Sequence, residues 1–241
     1  FVDIFENDKL LKNSRFLCTK RKSVNYKNES IFVGDLVFIN KISLKENTAI
    51  IESLSKRKNL LLRPAVANIS DIYITFSVDE PKLNFSQVSK FLVNAEKLDV
   101  SVSLILTKCD LVTKEKKAGL ISKFKGWGYD PISINLNEHF NFQKLINQFK
   151  KKKCSILVGP SGVGKTTLLN NIIPNLNNLT APISSKIKRG KNTTRNVELF
   201  CLSNASYIVD SPGFNLQSIE SDVRHIQNLF PEINKQLLSS K

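Results

Sequence analysis

The chain has 241 residues, 41% of them hydrophobic, which is enough to bury the core of an ordinary domain and of a smaller one. No apolar run approaches the ~18 residues of a membrane span and no secretory segment opens the chain, so a membrane location is not expected and the cytoplasm is the expected compartment. The net charge of +15 favours attraction to a polyanion such as nucleic acid, although a solvated basic surface is the alternative.

Residues 1–63 contain short apolar runs separated by basic turns, a pattern typical of a small all-β barrel of the OB type. The predicted strands are Phe1–Phe5, Arg15–Thr19, Ile31–Ile39, which is broken at Gly34-Asp35, and Thr48–Ser53. Two basic triplets, at residues 20–22 and 56–58, lie where strands meet loops, as expected if the barrel presents cations to a nucleic-acid backbone. A solvated loop cluster explains either triplet equally well.

From residue 64 onwards strands alternate with helices, which predicts a mostly parallel sheet covered on both faces and a domain boundary near Arg63. The predicted strands are Ile69–Phe76, Val100–Leu106, Tyr129–Ile134, Cys154–Val158, Val197–Leu202 and Ala205–Val209. The predicted helices run from a cap at Ser86 to Leu98, from Thr113 to Phe124, from Asn141 to Phe149, over residues 164–173, and through most of a tail from Ser218 to Lys241. Four consecutive lysines, Lys150–Lys153, precede the fourth of these strands.

The sequence GPSGVGKT lies between a short apolar run and a helical pattern, which is the context that the phosphate-binding template GxxxxGK[ST] requires. Glycines allow a tight turn that points N–H groups at phosphate oxygens. Lys165 is predicted to reach the β- and γ-phosphates, and Thr166 to place its hydroxyl on Mg²⁺. The predicted nucleotide-binding residues here are Gly159, Pro160, Ser161, Gly162, Val163, Gly164, Lys165, Thr166 and Thr167. A nucleoside triphosphate is the expected ligand.

A second motif ends the predicted strand Val100–Leu106 and resembles the NKxD signature of GTPases; it consists of Thr107, Lys108, Cys109 and Asp110. Asp110 would accept hydrogen bonds from N1–H and the 2-amino group of guanine, while the stem of Lys108 covers the base. Adenine offers neither donor, and such a mismatch can cost ~10⁴-fold in discrimination. Ser133 and Ile134 follow the next strand, where a backbone N–H could read the guanine O6. Guanine is therefore predicted over adenine.

Two further segments are candidates for nucleotide-sensing switches. The sequence DSPG resembles the DxxG motif of GTPases, in which Asp210 would hold Mg²⁺ through water and the N–H of Gly213 would contact the γ-phosphate. The basic stretch 174–196 lacks hydrophobic periodicity and contains Thr193 and Thr194, one of whose hydroxyls, assigned to Thr194, could complete the Mg²⁺ shell. In isolation each segment is equally well a turn or a hydrophilic loop; together they favour the switch interpretation.

These segments occur in an unusual order, because the base motif precedes the phosphate loop. Such a circular permutation is tolerable, since all the segments are loops at the carboxyl ends of neighbouring parallel strands. With VGD at 33–35, RKNLLLRPAVAN at 57–68 and RGKNTTRNVEL at 189–199, the whole chain resembles the RsgA (YjeQ) family of circularly permuted GTPases. The resemblance implies an OB-type barrel over residues 1–63 and a permuted α/β P-loop GTPase domain over residues 64–241.

The resemblance also implies a function. Members of this family are GTPases that assist late maturation of the small (30S) ribosomal subunit. The chain is therefore expected to bind GTP or GDP with Mg²⁺ and to contact 16S rRNA. It is also expected to couple GTP hydrolysis to the release of the factor. Turnover is expected to be slow alone and stimulated by the subunit, with the protein a monomer. The family's C-terminal zinc module would follow Lys241 and its first barrel strand would precede Phe1, so Zn²⁺ is expected only outside this chain.

The chain departs from the family pattern at residues that bear on hydrolysis. The family usually has His where Asn192 stands, and that His has been proposed to serve hydrolysis; Asn can orient a water but cannot act as a base. Phe214 follows Gly213 where many GTPases have Gln, and Thr107 replaces the usual Asn of the base motif. Catalysis is therefore assigned to Lys165, Thr166, Thr194 and Gly213, with Asn192 as the water-orienting candidate.

Two other functions remain open. An ATP-driven nucleic-acid enzyme would keep the phosphate loop and use Asp110 structurally, and an RNA-binding module could bind nucleotide without turnover. The presence of Asp110 argues against the first, and the intact Lys165-Thr166 pair argues against the second.

Overall fold

The computed structural model describes residues 1–6, 9–20, 30–62, 64–98, 100–135, 139–173, 197–203, 206–210 and 230–232. The strands are β1 (Val2–Glu6), β2 (Lys9–Lys20), β3 (Val37–Ser43), β4 (Thr48–Leu54), β5 (Leu60–Leu62), β6 (Ala65–Ala67), β7 (Asp71–Ser77), β8 (Ser101–Thr107), β9 (Ile132–Ser133), β10 (Cys154–Val158), β11 (Glu198–Ser203) and β12 (Ser206–Asp210). The helices are α1 (Phe85–Glu96), α2 (Lys114–Gly126), α3 (His139–Lys150) and α4 (Lys165–Ile172).

The N-terminal sheet has the strand order β1-β2-β4-β3. Its long strand β2 pairs antiparallel with β1 and parallel with β4, while β3 and β4 form an antiparallel pair. Phe16, Ala49 and Ile51 are buried apolar residues of this sheet. This is the all-β region that the sequence predicts, but its third strand begins at Val37 rather than Ile31, because a turn at Gly34 interrupts the run.

The VGD loop, residues 33–35, packs against the hairpin β5-β6 and the residues that precede it. The guanidinium of Arg57 donates two hydrogen bonds to the carboxylate of Asp35, from Nε at 2.6 Å and from Nη2 at 2.8 Å. Gly34 has φ +87°, and a Cβ there would lie 2.2 Å from the carbonyl oxygen of Ala67. The two sequence stretches that resemble the family's barrel and linker are therefore parts of one joint. The hairpin spans the boundary predicted near Arg63, and the division into domains at that residue remains a prediction.

The central sheet has the strand order β11-β12-β10-β7-β8-β9, and all its pairs are parallel except that of the edge strand β11. Strands β7 and β10 are buried along their whole length, as expected for the middle of a sheet covered on both faces. In β7, Ile72, Ile74 and Phe76 join the core with α1 and α2, whereas Tyr73 joins the core with α3 and α4. The predicted fold class is therefore confirmed.

Several predicted element ends are wrong by a few residues. Asn84, not Ser86, caps α1, because its side-chain oxygen accepts the N–H of Gln87 at 3.1 Å. Helix α1 ends at Glu96, and α3 begins at His139 rather than Asn141. The third predicted strand of the sheet shrinks to the two residues of β9, because Gly128 at φ +87° and a proline precede it.

Candidate nucleotide-binding site

The phosphate loop leaves the middle of the sheet at the carboxyl end of β10 and enters α4 at Lys165. Gly164 is the N-cap of α4, with φ 93° and no side-chain cap hydrogen bond. The first amides of the helix are therefore not occupied by a capping side chain, and they lie where an anion gains from the helix dipole. Thr166 and Thr167 are exposed in the first helical turn. The predicted strand–loop–helix context of GPSGVGKT is confirmed.

Gly159 is the residue at which the chain bends away from β10. Its φ is +152°, and a Cβ at this position would lie 2.1 Å from the carbonyl oxygen of Thr75 on the neighbouring strand β7. No L side chain fits there without moving the strand or the loop. Glycine is thus required both by the backbone conformation and by the close approach of β7.

We expect Gly159→Ala to lower the free energy of unfolding by about 2–3 kcal/mol, because the methyl group forces β7 and the phosphate loop apart. Urea denaturation of the full chain measures this change. The matched control is Gly119→Ala in α2, where a Cβ meets nothing within 4 Å and alanine favours the helix. Equal stability of the two variants would contradict the required close approach.

Lys165 folds back across the phosphate loop. Its ammonium group donates to the carbonyl oxygens of Gly159 at 2.7 Å and Pro160 at 2.6 Å. Burial lowers the pKa of Lys165, and the negative charge of Asp210 acts in the opposite direction. Asp210 ends β12, which pairs parallel with β10, so the predicted phosphate lysine and the predicted metal-binding carboxylate converge at one edge of the sheet. Burial disfavours the positive charge of Lys165, and phosphate oxygens bound nearby would stabilise that charge.

The base motif lies at the same edge, at the end of β8. Lys108 adopts a left-handed conformation with φ 54°, and its ammonium group donates to the carbonyl oxygen of Glu80 in the loop after β7. Asp110 lies in a short 3₁₀ turn, Cys109–Leu111, and its side chain is exposed. Cys109 is buried, and burial raises the pKa of its thiol, so it is packed beneath the site rather than presented to it.

Thr107 joins the base motif to the phosphate loop. Its side chain is buried, and its hydroxyl oxygen lies 2.6 Å from the carbonyl oxygen of Val163 and 3.2 Å from that of Phe76. A hydroxyl has a single proton, and the shorter distance favours donation to Val163, inside the phosphate loop. The sequence places Thr107 among the base-motif residues; in the structure it acts by holding the neighbouring loop.

We expect Thr107→Val, which keeps the shape and removes the hydroxyl, to lower the free energy of unfolding by about 1–3 kcal/mol, since the buried carbonyl of Val163 loses its donor. The looser phosphate loop should also weaken GTP and GDP binding. Urea denaturation and fluorescence titration with labelled nucleotide measure the two effects. Thr107→Ser retains the hydroxyl and is the control; unchanged nucleotide affinity in Thr107→Val would show that the bond does not order the loop.

The structure leaves only one of the two residues predicted to contact guanine O6, Ser133, as a candidate. Ser133 is the last residue of β9 and pairs with Leu106. Ile134 is fully buried, and its N–H donates to the carbonyl oxygen of Leu106 at 2.7 Å. The Ile134 amide is therefore already used, because the parallel ladder continues one residue past the strand end, and an O6 contact from the Ser133 amide remains a prediction.

Sequence analysis missed the loop after β7, which forms a wall of the site. The carbonyl of Glu80 holds Lys108, and Pro81 lies next to the phosphate loop, since a Cβ on Gly162 would be 3.7 Å from its Cδ. The signal was available in the strand order, because β7 lies between β10 and β8 and its following loop must emerge between their two motifs.

The switch residues and metal ligands are only partly described. Asn192, Thr193, Thr194, Gly213 and Phe214 lie outside the described residues. Within the part of the chain that the structure describes, no group of three or more His, Cys, Asp or Glu side chains could hold a metal ion. The described candidates for a Mg²⁺ shell are Thr166 and Asp210, whose oxygens suit that ion.

Comparison with known proteins identifies the family. The sequence model of the RsgA GTPase family matches residues 54–220, which is most of the chain. The chain belongs to the RsgA GTPase family. Among its relatives is a small ribosomal subunit biogenesis GTPase RsgA of Prochlorococcus marinus strain NATL2A, 41% identical over 97% of this chain and 75% of the relative. An RsgA of the same description from Synechococcus sp. strain CC9605 is 37% identical over 92% of this chain and 73% of the relative.

Solved structures agree with this assignment. YjeQ from Thermotoga maritima is 26% identical, with a TM-score of 0.75 over 92% of this chain and 75% of that one. YloQ, described as a circularly permuted GTPase, superposes with a TM-score of 0.72 over 94% of this chain and 75% of that one; at 24% identity it supports the fold alone. The family and the circular permutation predicted from the sequence are therefore confirmed.

Proposed function

We propose that this chain hydrolyses GTP and that it acts as an assembly factor for the small ribosomal subunit. The observation that carries the proposal is the convergence of Lys165, Asp210 and the motif ending in Asp110 at one edge of a parallel sheet. Membership of the RsgA GTPase family supports GTP as the nucleotide. The names of the relatives, small ribosomal subunit biogenesis GTPases, support the subunit as the partner.

The reaction is in-line attack of water on the γ-phosphate, and it depends on positioning and electrostatics rather than on covalent chemistry. Lys165, already held across the loop by Gly159 and Pro160, can turn its ammonium to the β- and γ-phosphates. The uncapped amides at the start of α4 stabilise charge on the phosphate oxygens. The hydroxyl of Thr166 and the carboxylate of Asp210 would hold Mg²⁺, which neutralises phosphate charge when bound.

The finer assignments are part of the same proposal. Thr194 would supply a hydroxyl to Mg²⁺, Gly213 would donate its N–H to the γ-phosphate, and Asn192 would orient the attacking water; all three belong to the switch segments. The net charge of +15 supports 16S rRNA as the contact within the subunit. We further propose that the protein is a cytoplasmic monomer. No helix within the described ranges is long and apolar enough to cross a bilayer.

The position of Asp110 supports GTP over the ATP alternative. A structural role would require its carboxylate to be engaged with the fold, but the side chain is exposed, and no ion-pair partner for it occurs among the described residues. Lys108, two residues earlier in the same motif, is fixed by a hydrogen bond from its ammonium group to the carbonyl oxygen of Glu80. Both features suit a purine that offers two donors in its plane and a face for the stem to cover.

The proposal is tested by measuring hydrolysis of GTP and of ATP by the full-length protein, with and without small ribosomal subunits. We expect slow GTP turnover alone and faster turnover with subunits, because Asn192 and Phe214 supply no base and docking of the basic stretch 174–196 can order the switch threonines. The stimulation should fall steeply with salt. Fast basal hydrolysis that subunits do not change, or equal use of ATP, would contradict the proposal.

The coupling to the basic stretch has its own variant. Lys188→Ala with Arg189→Ala should reduce stimulation and spare basal turnover, since both residues lie outside the phosphate loop and the base motif. The control, Lys90→Ala with Lys114→Ala, removes the same charge from exposed positions on α1 and α2. Equal stimulation in the two double variants would exclude a specific contact by the stretch.

A further inference from the structure

The four consecutive lysines Lys150–Lys153 include the last residue of α3 and the turn that leads into β10, and are here called the lysine turn. The turn enters β10 at Cys154, whereas the phosphate loop leaves that strand at Val158. The lysine turn therefore lies at the opposite edge of the sheet from the nucleotide site, about 15 Å away along the strand. Neither the proposed chemistry nor the base motif uses it.

Lys152 uses its ammonium group to stabilise the fold. The Nζ of Lys152 lies 2.7 Å from the Oδ1 of Asp71, whose side chain is 4% exposed at the start of β7. This pair neutralises a carboxylate that is buried beneath the end of the sheet. Lys152 is thus a structural residue, and its neighbours need a different explanation.

Lys150 and Lys151 are exposed, and no ion-pair partner for either occurs among the described residues. Consecutive like charges repel each other, so the turn is less favourable with these residues than with neutral ones. Neither ammonium group stabilises the fold through an ion pair with a described residue. Their positive charge is available to an external anion.

The lysine turn lies at the contact between the barrel and the central sheet. The carbonyl oxygen of Lys153 accepts the N–H of Tyr207 at 2.9 Å. The hydroxyl of Tyr207 in turn donates to the Oδ2 of Asp3 at 3.0 Å, and Asp3 forms an ion pair with Arg15 at 2.7 Å. The lysine turn and the first barrel strands therefore meet at Tyr207.

The two described acidic groups discussed here, Asp3 and Asp71, are already paired with cations. Asp3 is bound by Arg15, and Asp71 is bound by Lys152. Lys150 and Lys151 consequently remain as excess positive charge beside the contact. An anion that approaches there meets cations whose charge no nearby described carboxylate cancels.

We propose that Lys150 and Lys151 form a docking surface for the phosphate backbone of the RNA in the small ribosomal subunit. The proposal rests on the partner named under the proposed function. A lysine ammonium is a hydrated point charge that gains little from one surface carboxylate, but a row of phosphates compensates several of them and releases counterions. RNA is therefore favoured over an acidic protein segment. Docking here would bring RNA against the contact between the barrel and the central sheet. The opposite edge of the sheet, which carries the nucleotide site, would stay free.

The test measures binding of the full-length protein to small subunits over a range of salt concentrations, for wild type and for Lys150→Ala with Lys151→Ala. Each lost phosphate contact should reduce the slope of log affinity against log salt by about 0.7–0.9, so the double variant should lose about 1.5 in slope and roughly 10- to 20-fold in affinity at ~0.15 M salt. Basal GTP hydrolysis should not change. Lys90→Ala with Lys114→Ala, with the same charge change on α1 and α2, should keep the wild-type slope.

A photo-crosslinking amino acid at position 151 identifies the partner: crosslinks to RNA support the proposal, and crosslinks to ribosomal protein alone overturn it. An unchanged salt slope in the double variant, while wild type binds, overturns this surface and leaves the proposed function intact. Failure of wild type to bind subunits at all overturns both. Lys152→Ala should instead lower the melting temperature, because it leaves Asp71 buried without its partner.

Discussion

Lys165→Ala is expected to reduce GTP hydrolysis by about 10³-fold while leaving the chain folded. The side chain is half-buried, and its ammonium group lies across the phosphate loop and bonds to it through Gly159 and Pro160. In the transition state it faces the charge that develops on the phosphate oxygens, and removal of one such donor costs ~10²–10³-fold. The fold should survive because glycines set the turn and apolar residues of α4, not Lys165, fill the core.

Single-turnover hydrolysis of labelled GTP, with circular dichroism and urea denaturation as folding checks, measures this effect. Lys144→Ala removes an equal charge from an exposed position on α3 and should leave the rate unchanged. Thr166→Ala should show a comparable loss that added Mg²⁺ restores only in part, because the hydroxyl and not the charge is missing. Near-normal hydrolysis by Lys165→Ala would remove the phosphate-loop assignment.

The phosphate loop was predictable because its template is local. The tight turn, the entering strand and the leaving helix all lie within residues 154–172, so their order along the chain already fixes the geometry. The position of Asp210 followed from a different argument, since a carboxylate at the end of a neighbouring parallel strand must come to the same edge. These features required no knowledge of side-chain packing.

The role of Thr107 was not predictable in this way. Its acceptor, the carbonyl of Val163, is 56 residues away in sequence. The bond forms because β8 and β10 lie on either side of β7, so that the loops after them come together. The assignment of the Ile134 amide to guanine O6 was wrong for a related reason. The number of ladder hydrogen bonds that continue past a strand end depends on the register of the strands, which the sequence pattern does not specify. The cap at Asn84 was missed because Asn84 and Ser86 are both good capping residues two positions apart.

Asp110→Asn is expected to shift the preference of the site from guanine towards xanthine. In the proposed site the carboxylate accepts from both N1–H and the 2-amino group of guanine, whereas an amide accepts with its oxygen and donates with its nitrogen. That donor opposes the 2-amino group, but it matches the carbonyl that xanthine has at the same position. A site built around such bonds discriminates by ~10⁴-fold when they are mismatched, so the ratio of GTP to XTP affinity should fall by about 10²- to 10⁴-fold.

Competition titrations with GTP, XTP and ATP measure the shift, and Asp130→Asn is the matched control. Asp130 is an exposed carboxylate whose Oδ1 lies 3.3 Å from the Nζ of Lys125, so its replacement removes the same charge outside the base motif and the phosphate loop. The replacement at Asp110 tests base recognition, because Lys108 is hydrogen-bonded to Glu80 and the Asp110 carboxylate is exposed at the sheet edge. If the base lies there, affinity for ATP should stay low in both variants, since adenine matches neither side chain. A variant at Asp110 that still prefers GTP as strongly as wild type would place the base elsewhere and would require another residue to read guanine.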